Sequence, residues 1–469
     1  MMPPFRRNLL YFAVLASMIV GLFLLTSTEP QTRVGLLSGL KENVPGLAFS
    51  TNTRKDDFSI VAETTMPAGT LVPGFALLDR LYLRNGTFFI VSNSTAFPPR
   101  SDIISRPLDI GANHDLEPTD KELRFITSAD ATEILGKHAI PIEGFTMIVY
   151  DTEQFMNRFY HWWGEMVLGT WRVYSALDAF TQGAENPPFP ARVILPHIFG
   201  NEWRDAPGVN AGLMRACFPS TNIEKSDYWD DLTLLDKTVV FERAMIISRA
   251  TAHRHPLSTS WSNMLSSAMT VNTSAKFWEP IRHATISNLL GYLPELDSRG
   301  LVVAPPSSVS SIPVVTYISR QGGGRRLREE DHEGLVRALK ELEWTGICQV
   351  YVAVMEKMSL VQQVEVMAAS TVVVGVHGNG LTHQLWMPPS ARSTVIEIFP
   401  PKSYLSDYEI LARNLGHRHY AIWNDTPTTF PKDIYHEGIE YAEDFNTLSI
   451  PVHGPAVAQL IRQCLTEFA

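Results

Sequence analysis

Cysteine is nearly absent: Cys217, Cys348 and Cys464 are the three in a chain of 469 residues. Three thiols allow at most one internal bridge, which excludes a disulfide scaffold and leaves stability to a packed core. Zinc sites built on C-x-x-C pairs are excluded as well, because no such pair occurs. Positive charge is the minority sign, with 39 Lys and Arg against 49 Asp and Glu and a net charge of -10. Broad nucleic-acid binding depends on cations that neutralise phosphates, so it is disfavoured, and any anionic ligand must be held locally. The letters contain no G-x-x-x-x-G-K-[ST] loop and no G-x-S-x-G elbow, so a P-loop NTPase and an esterase of the α/β-hydrolase type lack their signatures.

Hydrophobic residues at 45% and charged residues at 19% describe a globular protein with a sizeable core. The length suits two domains, or one large domain with insertions. At the N-terminus, Arg6 and Arg7 precede an uncharged apolar run from Leu9 to Leu25. That run is longer than the roughly 7–15 residues of a cleaved signal peptide and shorter than the about 20 of a full span. We read a cytosolic tail at 1–8 and a signal anchor at 9–25, with the arginines kept cytosolic and the rest lumenal. The alternatives are a cleaved signal and a buried core helix. Residues 26–57, rich in Ser, Thr, Asn and Gly, form a stem. The expected location is the Golgi or ER membrane, as a single-pass type II protein. A lumenal chain offers N-glycan acceptors of the form N-x-S/T, found at Asn85, Asn93, Asn272 and Asn424, the last disfavoured by the nearby Pro427.

A hairpin is expected where "LYLRNGTFFIV" pivots on Asn85 and Gly86. Apolar runs at "FTMIVY", "ARVILP" and "KTVVFERAMIIS" predict buried strands of an α/β fold, with irregular spacing between them. The composition turns to Pro and Ser near residues 303–312, the signature of a linker between an N-terminal domain at 58–302 and a C-terminal domain at 313–430. Beyond the linker, strand and helix alternate: "VVTYIS", "EEDHEGLVRALKEL", "ICQVYVAV", "SLVQQVEVMAAS", "TVVVGV" and "TVIEIF". That alternation predicts parallel β-α-β units, whose ligands sit beyond the carboxyl ends of the strands. The segment 431–469 ends in "PAVAQLIRQCLTEF", which places Val457, Leu460, Ile461, Cys464, Leu465 and Phe468 on one helical face that must dock on something.

Two glycine loops fall at strand ends. In "HGNG", His377 to Gly380, the chain passes from a strand ending at Val376 to a helix expected near Leu381. Glycine lets backbone N–H groups approach a ligand, and a helix N-terminus attracts phosphate. His377 or His383 could add a hydrogen bond or a charge; the alternative is a tight turn with packed histidines. A dinucleotide fingerprint fails, because His383 stands at its third glycine. The other loop, "SRQGGGRRLREED", carries Arg320, Arg325 and Arg326, which suit a forked clamp on phosphate oxygens, or form a solvated basic loop. Both loops opening on one sheet edge would favour a pyrophosphate. In the first half, His161 and Glu165 stand four apart within "NRFYHWWGEMVLGTW", a setting for a general base if the segment is helical. Trp162, Trp163 and Trp171 could stack on a sugar or fill the core.

Together, "GVHGNGLTHQLWMPPSARSTVIEIFPP", "SR…RRLREED", "EKMSLVQQVEVMAAS" and "NRFYHWWGE" resemble glycosyltransferase family 61, which includes protein O-GlcNAc transferases and plant xylosyl- and arabinosyltransferases. The resemblance is carried mainly by residues 314–425. It implies a GT-B-like α/β fold of two Rossmann-like domains facing a cleft, with the UDP-sugar held by the C-terminal domain and a glycan or glycoprotein acceptor approached from the N-terminal one. It implies Arg320 and Arg325 as phosphate ligands with Arg326 as a neighbour able to replace either, and His377, Gly378, Asn379, Gly380 and Leu381 as the glycine loop, Asn379 standing where Ala is commonest. Glu397 would meet ribose hydroxyls or pair with a buried neighbour. His161 and Glu165 are the catalytic candidates, Glu165 standing where the family usually has Asp. The implied reaction is an inverting transfer. With no D-x-D in the chain, no metal cofactor is expected, the arginines taking a cation's part, although single carboxylates could recruit Mn2+. The competing readings are a catalytically inactive lectin-like or scaffold protein of the same fold and an NAD-dependent enzyme.

Overall fold

Asn85 and Gly86 both take positive φ, 49° and 79°, as a two-residue hairpin turn requires. After the short β1 (Leu71–Val72), they join β2 (Phe75–Arg84) to β3 (Thr87–Val91). The computed structural model describes residues 58–93, 97–111, 113–177, 187–305, 312–430, 445–446 and 449–466. The expected tail, anchor and stem at 1–57 lie outside these, as do most of the expected linker and much of 431–469. Among the described residues no helix is long and apolar enough to cross a membrane.

The hairpin belongs to a mixed sheet that also holds β4 (Leu123–Ile126), β5 (Ile140–Val149), β6 (Arg192–Ile194), β7 (Asn222–Glu224) and β8 (Val239–Ile247). Its order is β4-β3-β2-β8-β5-β6-β7, with β1 beside β2. β5, β6 and β7 run parallel and β5 also pairs parallel with β8, whereas β2 is antiparallel to both β3 and β8. A two-stranded hairpin, β9 (Glu295–Leu296) and β10 (Val302–Val303), follows.

The second sheet comprises β11 (Val314–Ile318), β12 (Gln349–Ala353), β13 (Val372–Val376), β14 (Thr394–Ile398), β15 (Arg418–Trp423) and β16 (Thr426–Thr428). Its order is β12-β11-β13-β14-β15-β16, all parallel except the terminal β16. β13 and β14 are buried along their whole length, which is why both appear in the sequence as unbroken apolar runs. Helix Glu329–Trp344 and the C-terminal helix Gly454–Thr466 cover one face, burying Leu335, Leu339 and Leu342 with Val457, Ile461 and Leu465. The other face joins a core that includes Phe75 of the first sheet and Trp162, Trp163, Trp171 and Trp386, so the three tryptophans of the first half are packing residues. Both sheets lie in one compact unit, Phe58–Ala469. All three cysteines are free and buried. The expected acceptors Asn85, Asn93, Asn272 and Asn424 are exposed. Asn93, however, is tied by its amide to Glu63 and Ser128.

The two glycine loops meet because β11 and β13, although separated in the chain by β12, are neighbours in the sheet. Their register pairs Ile318 with Gly375, so the arginine loop after Ile318 and the glycine loop after Val376 leave the same edge of the sheet.

Candidate functional site

A cavity of about 470 Å³ opens at that edge. It is lined from the second half by Arg320, Arg325, His377, Asn379, Leu405, Asp407, Tyr408 and Phe445, and from the first half by Phe155, Arg158, Tyr160, His161 and Arg249. Four guanidinium groups thus surround it in a chain of net charge -10, a local concentration of positive charge that suits a polyanionic ligand.

The two loops are locked together by Arg320. Its Nη1 donates to the His377 carbonyl at 2.6 Å, and its guanidinium fills the place of a side chain at position 378, where a Cβ would stand 1.4 Å from Nη1. Gly378 has φ 148° and ψ 175°, a region essentially confined to glycine. Burial and the neighbouring Arg325 push the Arg320 pKa down, because desolvation and a like charge close by both disfavour the charged form. Arg325 makes no hydrogen bond among the described residues and lies over the Phe445 ring at 5.0 Å. Asn379 is exposed and also lines an adjoining cavity of about 330 Å³, which shares Arg158 and Arg320 and adds Asp205, Glu356, Gly380 and His383.

Several expectations for these loops are corrected. The helix after the loop, expected from near Leu381, begins at Asn379 and runs to Trp386 as a 3-10 helix. Leu381 is buried in the core, and Gly380 is packed so that a Cβ would approach Ile318 to 2.8 Å. Arg326, next to Arg325, does not line the cavity: its Nη1 donates to the Gln321 carbonyl at 3.4 Å, and its own carbonyl accepts from Ile450. His383 is buried with Nδ1 unpartnered, and burial pushes its pKa down to about 3, so it supplies no charge.

Glu397 does not reach the cavity either. It is fully buried, with Oε1 against His377 Nδ1 and Oε2 against His419 Nε2 at 2.8 Å. Burial, then Asp407 and Glu409, push its pKa well up, whereas burial and the nearby arginines push that of His377 well down. Glu397 is thus paired with two buried histidines and takes no part in lining the cavity. His377 remains neutral and reaches the cavity with its other nitrogen, 3.9 Å from Asp407 Oδ2.

On the facing side, Tyr160–Val167 is a π-helix that runs into the α-helix Leu168–Tyr174, an irregularity often found at functional sites. It sets His161 Nδ1 2.5 Å from Glu165 Oε2. The same oxygen accepts from Arg249 Nη1 at 2.7 Å, and Oε1 accepts from the Met264 backbone at 3.0 Å. Burial pushes Glu165 up, but Arg249 and His161 outweigh it and hold the pKa at about 2. Glu165 is therefore an enclosed, ionised acceptor. Nδ1 of His161 then carries the hydrogen, leaving Nε2 as the basic nitrogen toward the cavity. This is the arrangement of a general base steadied by a buried carboxylate.

Asp407, Arg158 and Arg249 were not singled out in the sequence. Asp407 opens helix Asp407–Leu415 after Ser406, and an acid in a first helical turn reads simply as a dipole partner. Burial and then Glu165 push its pKa up to about 6. Among the described residues no cluster of His, Cys, Asp and Glu side chains is able to hold a metal ion.

Set against protein families, residues 159–396 match the model of Glycosyltransferase 61, just over half of the chain. A comparison with curated proteins finds no match.

Proposed function

The chain belongs to glycosyltransferase family 61, and from that premise we propose that it transfers a sugar from a UDP-sugar to a hydroxyl of a glycan or glycoprotein acceptor, with inversion, in the secretory pathway. The supporting observation is a facing pair across one cavity: His161, steadied by ionised Glu165, opposite Arg320 and Arg325. Donor and acceptor would enter a GT-B-like cleft from the second-sheet and first-sheet sides respectively, in a type II protein of the Golgi or ER.

In this scheme Nε2 of His161 takes the proton of the acceptor hydroxyl as its oxygen attacks the anomeric carbon. The bond to the diphosphate oxygen breaks on the opposite face, which inverts the configuration. Arg320 and Arg325 receive the charge that gathers on the departing diphosphate, electrostatic stabilisation of the kind that usually dominates such steps. Glu165 stays ionised and balances the imidazolium, and no step calls for a metal ion.

The test is release of UDP from UDP-xylose, UDP-arabinose and UDP-GlcNAc, with and without acceptor glycans. Acceptor-dependent release from one donor is expected. UDP binding without turnover across the panel would point to a lectin-like or scaffold protein, and thermal protection by NAD but not by UDP would overturn the reading.

A further inference from the structure

Resting on that donor reading, we propose that Asp407 is the specificity residue of the cavity, accepting hydrogen bonds from a vicinal pair of hydroxyls on the nucleotide-sugar. Among the described residues that line the cavity, Asp407 is the one carboxylate, set among Arg158, Arg249, Arg320 and Arg325. Its backbone is fixed from the facing half, where Tyr160 Oη donates to the Asp407 carbonyl at 3.2 Å and itself accepts from Asn263 Nδ2 at 2.5 Å. The carboxylate is held far less firmly. Asn263 Nδ2 reaches Oδ1 at 3.4 Å, and His377 Nε2 stands 3.9 Å from Oδ2.

An ionised carboxylate offers about four lone-pair sites, and these contacts fill few of them. The side chain is 28% exposed, and what it exposes faces the cavity. A carboxylate beside a diphosphate is repelled by it, so its presence lowers affinity unless the ligand also brings donors. Vicinal hydroxyls supply two at the spacing of two carboxylate oxygens. Leu405, Tyr408 and Phe445 line the same side and offer an apolar surface for the flat or CH-bearing parts of such a ligand. Glu397, the carboxylate this role suggested in the sequence, is sealed between His377 and His419.

The diol belongs either to the ribose or to the transferred sugar, and calorimetry on the full chain separates them. Wild type and Asp407→Asn, an isosteric change, are titrated with UDP, 2′,3′-dideoxy-UDP and UDP-xylose. If the ribose is read, Asp407→Asn weakens UDP about tenfold or more, the scale of a lost hydrogen bond to a charged group, and leaves the dideoxy compound unaffected. If the transferred sugar is read, UDP and its dideoxy analogue bind both proteins alike and UDP-xylose alone is weakened. Unchanged or tighter binding of all three to the variant overturns the proposal, Asp407 then being merely a repulsive neighbour. Asp407→Glu, which keeps the charge and shifts its reach, controls for misfolding and should retain part of the discrimination. Failure of wild type to bind either UDP or UDP-xylose removes the donor reading itself, an outcome visible before any variant is made.

Discussion

Gly378→Ala tests the junction of the two loops more sharply than any substitution of a charged residue. The new Cβ would stand 1.4 Å from Arg320 Nη1 and 2.5 Å from its Cζ, so the guanidinium cannot keep its place. Two costs follow. Alanine at φ 148°, ψ 175° carries about 1–3 kcal/mol of backbone strain. Expelling Arg320 forfeits its hydrogen bond to the His377 carbonyl, about 1.5–3 kcal/mol for a charged donor. The sum, about 2.5–6 kcal/mol before relaxation, should lower Tm by several degrees and weaken UDP about ten- to a hundredfold through loss of one phosphate ligand. A cycle with Arg320→Ala isolates the mechanism. If both changes act through one guanidinium, the double variant should bind UDP no more weakly than Arg320→Ala alone, a coupling of about 1.5–3 kcal/mol. Wild-type Tm and UDP affinity in Gly378→Ala would show that the guanidinium does not lie across the glycine loop.

The adjacent arginines should separate cleanly: Arg325→Ala should weaken UDP at least about tenfold, while Arg326→Ala stays within about twofold, and equal losses would refute the assignment of the cavity to Arg325. For Glu165, held at about 2, the carboxylate stabilises the folded state above its ordinary range near pH 4.5, and that stabilisation disappears as pH falls toward 2. Glu165→Gln should therefore be less stable than wild type at pH 7, with the Tm gap closing between about pH 4.5 and 2; a gap independent of pH would contradict the ionised, enclosed Glu165. Trp163→Ala should cost about 3–5 kcal/mol in urea unfolding, because this fully buried ring packs edge-on against Trp386 at 5.6 Å and near Phe218; a loss under about 1 kcal/mol would point to a ligand-stacking role in place of packing.

The second sheet was readable because a parallel sheet covered on both faces turns its strands into unbroken apolar runs, and "TVVVGV" and "TVIEIF" are such runs. Strand ends then located the two glycine loops without knowledge of strand order. The first sheet was harder because antiparallel β2 and β3 mix with parallel β5, β6 and β7, and short strands such as Arg192–Ile194 leave little periodicity to count. At the site, side-chain direction was the missing quantity. Arg325 and Arg326 are identical letters one position apart, yet the backbone pairing of Arg326 with Ile450 turns only one of them toward the cavity. Glu397 looked available because its partner His419 lies on the neighbouring β15, a pairing that no local pattern announces.

Charge accounts for what the sequence concealed most completely. A net charge of -10 suggests poor affinity for a diphosphate, yet the cavity gathers arginines from positions as distant as 158 and 325, and Arg158 and Arg249 among them carry no mark in the sequence. One of them, Arg249, spends its charge on Glu165, which leaves the other three to face an anion. The family match runs from residue 159 to residue 396, so it spans the proposed base His161, Arg320, Arg325 and the glycine loop, and it stops before Leu405, Asp407, Tyr408 and Phe445. The proposed chemistry of transfer thus falls within the matched span, while the proposed diol-reading wall falls in a segment beyond it. Selectivity should follow substitutions at 405–408 and 445, and turnover should follow those at 161, 165, 320 and 325. A variant at 407 that abolished turnover with saturating donor, affinity intact, would break that division.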